Sequence, residues 1–406
     1  MIAGKLRRDA TVPARRILAK TLNVHAINGD PALVAIERAI HELRCGRAVY
    51  CCETDSSGTV LRGMLVAAAE RTSAALLARV VALAGEADPA LAITRERADI
   101  LGLCPSTDLA SGQRDGAVLK GHALRSESVV AWLAGAHPGN SESIASGRRL
   151  SVEAGDAYTG ATLKLAKSAR LLPAVLMVPS PPPSSDVLTI TTAQLKRLAP
   201  STSLDLERVS EARVPLAGHE DCRLVLFRDN RDASEHVAVL IGSQQHATVP
   251  VRLHSACLTG DLLASLRCEC GDQLRMAVDQ LAAVGGGVLL YLAQEGRGIG
   301  LANKLRAYSL QDTGMDTIEA DRHLGFGADE RSYLAAASML KHLGMTRIRL
   351  LTNNLNKIEG LSNAGIEVVG GQRLIGAVSR HNARYLHAKR ERAGHLMPEI
   401  NLDEFL

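Results

Sequence analysis

Between Gly271 and Val369, short apolar runs alternate with helical segments that end at or near a glycine. Glycine permits the left-handed backbone at which many helices stop, so Gly314 and Gly344 mark two helix ends. This alternation predicts an α/β domain. The predicted helices are Asp272–Val284, Leu301–Asp312, Asp329–Leu343 and Asn356–Asn363, and the predicted strands are Val288–Leu292, Ile348–Leu351 and Ile366–Val369.

A chain of 406 residues is longer than one typical domain and predicts two or three domains. A new series of strand signals begins after a predicted boundary near Leu206–Val214. These signals are CRLVLF at Cys222–Phe227, HVAVLIG at His236–Gly242 and VPVRLH at Val249–His254.

The part before this boundary also alternates helical and strand patterns. It contains a predicted helix over Ala32–Cys45, an apolar strand over Ala48–Cys52 and a helix over Thr72–Ala84. We predict a two-domain α/β protein. Its segments are a basic N-terminal arm over 1–25, an α/β or α+β domain over 26–208, a second α/β domain over 209–378 and a C-terminal tail over 379–406.

The composition narrows the classes of function. Aromatic residues make up only 2% of the chain, which leaves little for stacking nucleic-acid bases, and the net charge of +4 is too small for a polybasic surface. No run of about 18 apolar residues predicts a membrane span. Five cysteines are predicted to be buried thiols of a reducing compartment, so we expect a cytoplasmic protein: Cys45, Cys51, Cys52, Cys104 and Cys222.

Three further cysteines are clustered at Cys257, Cys268 and Cys270. Gly260 and Gly271 allow the turns that would bring their thiolates to one zinc ion. A catalytic zinc has three protein ligands and an open position for water, whereas a structural zinc has four. From spacing alone, a structural site with His254 as the fourth ligand, or three buried thiols without a metal, is about as well supported.

A glycine-rich segment, QEGRGIG at Gln294–Gly300, follows the predicted strand Val288–Leu292 and opens a helix. Backbone N–H groups at such a turn can approach a phosphate, and the helix N-terminus favours an anion. Arg297 could bind a phosphate through two hydrogen bonds. A plain strand-to-helix turn is the alternative, but it would not require charged residues in the glycine run.

Two other polar segments lie at element ends. Asp329 could cap a helix, yet Arg331 would then place a cation in the first turn, which an anionic ligand would offset. Thr352-Asn353-Asn354 and Lys357 follow the strand Ile348–Leu351, where open α/β sheets bind ligands. An ordinary loop with a capping Asn explains the second segment equally well.

Taken together, these motifs closely resemble GTP cyclohydrolase II. The resemblance covers Val249–Leu374 and is carried by RLHSACLTGD, SLRCECGDQL, LLYLAQEGRGIGLANKLRAYSLQDTGMDT, LGFGADERSY and RLLTNN, in this order. It implies a zinc-dependent homodimer that also uses magnesium. The implied reaction removes C8 of GTP as formate, releases pyrophosphate and begins riboflavin biosynthesis.

The resemblance also implies roles for individual residues. Arg331 matches the proposed nucleophile toward the α-phosphorus, Asp329 matches its proton acceptor, and Tyr308 matches a tyrosine near the base. Because guanidinium stays protonated, charge stabilisation by Arg331 competes with the nucleophile role. Cys257, Cys268 and Cys270 match the zinc ligands, and the GTP contacts match Arg252, Leu253, His254, Ser255, Ala256, Gln273, Glu295, Gly296, Arg297, Thr317, Thr352 and Lys357.

Two positions depart from the pattern of this family. Ala256 stands where a Glu is common, and Leu355 stands where a Pro is common. Neither change removes a metal ligand, but Ala256 removes a carboxylate beside the first zinc cysteine. A diverged paralogue that stops at the formamide or opens a related purine therefore remains a second hypothesis, and a GTP-binding regulator with a structural zinc is a third.

The domain over 26–208 resembles dihydroxybutanone phosphate synthase more faintly. The resemblance is carried by AIERAIHELRCGRAVYCCETD, LAITRERADILGL and DAYTGATLKLAKSARLLPA. Its acidic run is reduced to Glu53 and Asp55, Tyr158 replaces an expected His, and the segment His137–Asn140 replaces an expected arginine–proline–glycine–histidine motif. We therefore expect a degenerate domain without synthase activity.

Overall fold

The computed structural model describes residues 30–103, 115–136, 150–183, 186–198, 204 and 206–372. These residues form two seven-stranded sheets with flanking helices, which confirms the predicted two-domain α/β fold. The predicted arm over 1–25, the tail over 379–406, Cys104 and the segment His137–Asn140 lie outside the described residues.

The first sheet belongs to the N-terminal domain and has the strand order β5-β4-β3-β6-β2-β1-β7. Among the described strands of this sheet, β1 and β7 are the one pair that runs parallel. The strands are β1 (Val49–Thr54), β2 (Val60–Ala68), β3 (Ala90–Ile93), β4 (Ala117–Lys120), β5 (Ser151–Ala154), β6 (Ala174–Pro179) and β7 (Thr189–Thr191). The helices are α1 (Pro31–Arg44), α2 (Ala74–Leu83), α3 (Arg95–Ile100), α4 (Glu127–Ala134), α5 (Ala157–Ser168) and α6 (Thr192–Leu195).

Helix α1 shows how the local sequence sets its own boundaries. Asp30 caps the helix by accepting a hydrogen bond from the backbone N–H of Ala32 at 2.9 Å, and Pro31 occupies the first turn, where no N–H is needed. Ile36, Ala39 and Leu43 recur on one face and are buried against the sheet. The helix predicted over Ala32–Cys45 is thus confirmed within one residue at each end.

The second sheet has the strand order β14-β13-β11-β12-β10-β9-β8. Strands β14, β13, β11 and β12 are mutually parallel, and the remaining three pair antiparallel. The strands are β8 (Leu206–Arg213), β9 (Cys222–Asp229), β10 (Glu235–Gly242), β11 (Val249–Ser255), β12 (Gly286–Leu292), β13 (Arg347–Leu351) and β14 (Glu367–Gln372). The helices are α7 (Cys270–Ala283), α8 (Leu301–Gln311), α9 (Thr317–His323), α10 (Leu334–His342) and α11 (Leu355–Asn363).

The predicted start of one helix is wrong. Helix α10 begins at Leu334 with Tyr333 at its N-cap, so Asp329 is not a cap and Arg331 does not lie in the first turn. The Asp329 carboxylate instead accepts a hydrogen bond from the backbone N–H of Arg331 at 3.1 Å and binds its guanidinium. This local pairing competes with helix formation over 329–333.

Two further details differ from the sequence expectations. Cys45 is exposed rather than buried because it stands at the C-cap of α1, whereas Cys51, Cys52 and Cys222 are buried. Helix α9 was not predicted, although Asp316 at its N-cap and Glu319 in its first turn form a capping box. Among the described residues, none of the helices is both long and apolar enough to cross a bilayer.

Candidate active site

A cavity lies where the parallel strands β11, β12 and β13 end at the same edge of the second sheet. Cavity-lining residues follow each strand within three positions, which is the expected ligand position in an open α/β sheet. Asp329 is the predicted site residue that does not line the cavity. The others all do: Arg252, Leu253, His254, Ser255, Ala256, Cys257, Cys268, Cys270, Gln273, Glu295, Gly296, Arg297, Tyr308, Thr317, Arg331, Thr352 and Lys357.

The three clustered cysteines converge in this cavity. Their sulfur atoms lie within 4.8 Å of one another, and Cys257 Sγ is 3.7 Å from Cys268 Sγ. Thiolates around a tetrahedral zinc, each about 2.3 Å from the metal, are separated by about 3.8 Å. Among the described residues they form the only such metal-ligand group. His254, the alternative fourth ligand, is not part of it.

The turn between the first two cysteines needs glycine at Gly260. A Cβ atom there would lie 2.7 Å from Cys268 Sγ and 3.1 Å from Cys257 Sγ. Any side chain would therefore push the thiols apart. The LTGD sequence places this glycine inside a short π-helical turn, Leu258–Leu262.

Asp261 anchors the same turn from within the domain. Its carboxylate accepts hydrogen bonds from the backbone N–H of Cys257 at 2.9 Å and from Tyr291 Oη at 2.9 Å. His254 Nε2 lies 2.9 Å from the other carboxylate oxygen, and its ring stacks on Tyr291 with centroids 5.6 Å apart. Burial lowers the pKa of His254, so the neutral ring donates from Nε2. This network fixes the backbone beside the first cysteine.

Lys304 is a buried cation that the motifs did not reveal. Its Nζ lies 3.1 Å from Cys257 Sγ and 2.7 Å from Glu295 Oε1. Glu295 in turn accepts a hydrogen bond from the backbone N–H of Leu258 at 2.7 Å. Hydrogen bonds from Cys268 and Cys270, with a further contribution from Lys304, lower the pKa of Cys257 far below its usual value. Lys304 thus places a positive charge beside this thiol, which favours the thiolate form that binds zinc.

The glycine-rich segment does not form a simple turn. Gly296 and Arg297 are consecutive left-handed residues, with φ of 62° and 59°. For an arginine this backbone costs about 1–2 kcal/mol, and such strain is found mainly at functional sites. Gly298 has φ of 97°, and a Cβ atom there would lie 2.8 Å from the carbonyl oxygen of Glu330. The segment thus packs tightly against the chain that carries Asp329 and Arg331.

Arg297 extends into the cavity toward helix α9. Its Nη1 lies 3.3 Å from the carbonyl oxygen of Ala328 and 3.9 Å from Asp321 Oδ2. Asp321 lines the cavity but was not predicted from sequence. Burial raises the pKa of Asp321 to about 7, even though Arg297 acts in the opposite direction. Near neutral pH the carboxyl group of Asp321 is therefore partly protonated and partly ionised beside the guanidinium of Arg297.

Arg331 is held by Asp329 through two parallel contacts. Nε is 2.7 Å from Oδ1, and Nη2 is 2.5 Å from Oδ2. Burial alone would raise the pKa of Asp329, but hydrogen bonds from Arg331 outweigh it and the pKa is lowered. Asp329 is thus ionised behind Arg331, and the cation faces the cavity.

Two further basic residues of the cavity bind backbone carbonyls at the strand ends. Arg252 is buried and donates to the carbonyl of Leu351 at 2.9 Å and to Gln273 Oε1 at 2.8 Å. Desolvation lowers the pKa of Arg252 to about 10, which still leaves it charged. Lys357 Nζ donates to the carbonyl of Leu253 at 2.8 Å. These contacts connect β11, β13 and α11 around the cavity.

The loop after β13 matches both of its sequence interpretations. Asn354 caps α11 by accepting a hydrogen bond from the N–H of Asn356 at 2.9 Å, as the ordinary-loop alternative predicted. Thr352 and Asn353 nevertheless line the cavity together with Asn354. Capping and cavity lining therefore coexist in the same three residues.

In the N-terminal domain, Asp55 and Tyr158 each have hydrogen-bond partners of their own. Asp55 is exposed and accepts hydrogen bonds from the backbone N–H groups of Ser57 at 2.8 Å and Thr59 at 2.9 Å within the β1–β2 turn. Tyr158 is buried, donates to the carbonyl of Cys51 at 2.8 Å and is covered by the guanidinium of Arg62, 4.5 Å from its ring centre. Burial further raises the pKa of Tyr158.

Comparisons with known proteins extend over nearly the whole chain. A GTP cyclohydrolase-2 of Azospirillum brasilense is 41% identical over 380 residues, covering 90% of this chain and 95% of that protein. A GTP cyclohydrolase-2 of Xylella fastidiosa is 38% identical over 388 residues, covering 93% and 90%. A GTP cyclohydrolase-2 of Escherichia coli is 49% identical over 195 residues, covering 48% and 99%.

Solved structures similar to this chain include RibBX, described as a two domain 3,4-dihydroxy-2-butanone 4-phosphate synthase from A. baumannii. It is 18% identical, and the alignment covers 84% of this chain and 99% of that chain with a TM-score of 0.32. A 3,4-dihydroxy-2-butanone 4-phosphate synthase of Candida albicans is 18% identical and covers 41% and 97%, with a TM-score of 0.30.

A profile of the family described as GTP cyclohydrolase II matches residues 207–373. This range contains the second sheet from β9 to β13 and every residue that lines the cavity. The similarity to the Azospirillum brasilense protein also spans both domains. The chain therefore belongs to the GTP cyclohydrolase II family.

Proposed function

We propose that the protein hydrolyses GTP to 2,5-diamino-6-(5-phospho-ribosylamino)pyrimidin-4(3H)-one, formate and pyrophosphate, as the first step of riboflavin biosynthesis. The observation that carries this proposal is the three-cysteine cluster, which lies in the same cavity as Arg297, Arg331 and Lys357. A metal ligand set and phosphate-binding cations in one cavity are what a hydrolase of a nucleoside triphosphate requires.

Cys257, Cys268 and Cys270 would hold one zinc ion per subunit, because their sulfur spacing fits tetrahedral thiolate coordination. Zinc bound by three thiolates supplies a polarised water, the reactant needed at C8. Lys304 Nζ lies 3.1 Å from Cys257 Sγ, and it holds Glu295 beside the turn Leu258–Leu262, here called the zinc turn. Magnesium would enter with the GTP phosphates, whose oxygens it prefers.

The geometry of Arg331 favours charge stabilisation over nucleophilic attack. Its guanidinium makes two contacts with the ionised Asp329, and an ion pair of this kind keeps the proton on the arginine. Asp329 lies within hydrogen-bond reach of the Arg331 protons, but its pKa is lowered, so this carboxylate is too weak a base to deprotonate a guanidinium. We propose that Arg331 stabilises the charge that develops on the α-phosphate while pyrophosphate leaves.

The N-terminal domain is proposed to lack synthase activity. Tyr158 and Asp55 both take part in hydrogen bonds within the domain, and Glu53 is exposed on strand β1. A magnesium titration with ribulose 5-phosphate should give no dihydroxybutanone phosphate. Formation of that product would overturn this part of the proposal. We further propose a cytoplasmic homodimer, as the family resemblance implies.

One assay separates the candidate reactions. The zinc-loaded protein is incubated with GTP and magnesium, and formate and pyrophosphate are measured. Release of both supports the proposed reaction. Pyrophosphate without formate supports the diverged paralogue, for which Ala256 is the motivating residue because it leaves the zinc turn without a carboxylate at that position. Release of neither product supports a regulator.

Cysteine substitutions test the role of the metal. Cys268→Ser should abolish formate release and lower the zinc content. Cys45→Ser changes an exposed thiol far outside the cavity and serves as the matched control. Unchanged formate release by the Cys268→Ser protein would refute the zinc mechanism.

A further inference from the structure

The N-terminal domain contacts the elements that form the cavity in the other domain. The first contact involves Arg97 of α3, which is only 2% exposed. Two of its nitrogens donate to the carbonyls of Trp132 and Leu133 in its own domain, and Nη1 donates to the carbonyl of His323 at 2.7 Å. A cation at the C-terminal carbonyls of α9 also complements the helix dipole.

A second contact continues the chain beyond α9. Thr94 Oγ1 donates to the carbonyl of Gly325 at 2.8 Å, and Thr94 is buried. Leu172 of the N-terminal domain is fully buried in a hydrophobic cluster with six residues of the other domain: Ile299, Ala307, Leu310, Ala320, Leu324 and Phe326. Helices α8 and α9 therefore pack around a side chain that the N-terminal domain supplies.

Helix α8 is also held by polar contacts. Arg306 Nη2 lies 3.0 Å from Glu70 Oε1, and the other oxygen of Glu70 accepts a hydrogen bond from the backbone N–H of Leu172. Asn303 Nδ2 donates to the carbonyl of Arg170 at 3.2 Å. The same helix carries Tyr308 and Lys304 into the cavity, so its position sets theirs.

The third contact reaches the segment between Phe326 and Arg331. Lys167 of α5 binds Glu330 Oε1 at 2.5 Å, and its ammonium lies 6.0 Å from the ring centre of Phe326. Glu330 Oε1 also accepts a hydrogen bond from the backbone N–H of Gly327 at 2.8 Å. Lys167 thus contacts both ends of the segment from the other domain.

Glu330 lies between Asp329 and Arg331 in the chain. The contact of Lys167 with Glu330 therefore also affects the position of Arg331. Both side chains of the Lys167–Glu330 pair are largely shielded from water, at 27% and 24% exposure. An ion pair in such a setting is screened less than one at the surface. Loss of Lys167 would release the carboxylate of Glu330 and loosen the backbone from which Arg331 projects.

We propose that the N-terminal domain is a positioning unit for the cyclohydrolase site, and that Lys167 acts through Glu330 to place Arg331. The effect on kcat that follows from this proposal rests on the proposed function, whereas the effect on the backbone of residues 326–333 does not. A misplacement of about 1 Å in a reacting group can reduce a rate by about a hundredfold. Lys167 does not line the cavity that contains the clustered cysteines, so it is a positioning residue rather than a catalytic one.

The test compares Lys167→Met with Lys164→Met, a change at an exposed lysine on the same helix. The Lys167→Met protein should lose kcat by roughly ten- to a hundredfold with a smaller change in KM and unchanged zinc content. Lys167→Arg should restore most of kcat. Glu330→Gln should have a similar effect, and the double variant should be no slower than the slower single variant, because both changes remove the same contact.

Hydrogen exchange provides a readout that does not depend on catalysis. The peptide covering 326–333 should exchange faster in Lys167→Met and Glu330→Gln than in the wild type or Lys164→Met. If Lys167→Met does not fold, Glu330→Gln carries the same comparison. Unchanged exchange with wild-type kcat overturns the positioning role and leaves the proposed function intact. Absence of formate from the wild type refutes the proposed function, and the exchange result then decides the positioning role.

Discussion

Replacing Asp321 by Asn should make the stability of the protein less dependent on pH. Asp321 has a side chain that is 6% exposed, and burial raises its pKa from 3.8 to about 7. Between these values the folded state keeps a proton that the unfolded state has lost, so stability falls as pH rises through the folded pKa. From pH 5 to pH 8 this loss amounts to about 2–3 kcal/mol, since one pKa unit corresponds to about 1.4 kcal/mol.

The isosteric amide cannot ionise and lacks this loss. Relative to the variant, the wild type should therefore become less stable by about 2–3 kcal/mol between pH 5 and pH 8. Urea unfolding followed by far-UV circular dichroism at several pH values measures the difference, and comparison at each pH cancels the other titrating groups. Asp312→Asn changes a carboxylate that is 62% exposed and should show no such trend. A pH-independent difference for Asp321→Asn would refute the reasoning.

Three other substitutions examine the zinc turn and Arg331. Asp261→Asn replaces one carboxylate oxygen by a donor, so either the Cys257 N–H and Tyr291 Oη or His254 Nε2 lose their acceptor; zinc binding should weaken roughly ten- to a hundredfold, measured by competition with a chromophoric chelator, and unchanged affinity would contradict the anchoring role. Lys304→Met leaves the half-buried Glu295 without its cation and should lower the free energy of unfolding, measured with urea, by about 1–3 kcal/mol. An unchanged free energy of unfolding would contradict this stabilising role. Arg331→Lys keeps the charge but loses the double contact, so pyrophosphate release should slow without stopping. A wild-type reaction quenched in mildly alkaline denaturant, which preserves a phosphoramidate bond, should show no nucleotide covalently bound to Arg331 by mass spectrometry, and an adduct there would restore the nucleophile role.

The sequence predicted the α/β layout because that signal is local. Apolar runs and terminal glycines identified strands β12 and β13 and the end of α8 within one or two residues. The start of α10 was missed because Asp329 pairs with the guanidinium of Arg331 rather than with a helix N-terminus, and nothing in a one-dimensional pattern distinguishes the two partners.

The site was predicted unevenly for the same physical reason. The cysteines and the glycine-rich segment form compact motifs, so their residues could be named from the sequence. Lys304 and Asp321 lie on α8 and α9, outside these motifs, and they become site residues only when the two helices pack beside the zinc turn. The contacts of Lys167 and Arg97 join residues more than 160 positions apart and carry no local signal at all.

The partners of the basic residues suggest which one meets GTP first. Arg252 donates to a carbonyl and an amide, Lys357 to a carbonyl, Arg331 to Asp329 and Lys304 to Glu295, all within 3.0 Å. The contacts of Arg297 with Ala328 and Asp321 are longer, at 3.3 and 3.9 Å, and its backbone is strained. An incoming phosphate would replace weaker contacts at Arg297 than at these other residues, so the exchange costs the least free energy there. Protonation of Asp321 neutralises the carboxylate that lies beside the guanidinium of Arg297. Phosphate binding by Arg297 and the titration of Asp321 should therefore be coupled, and GTP binding should tighten as the pH falls through about 7.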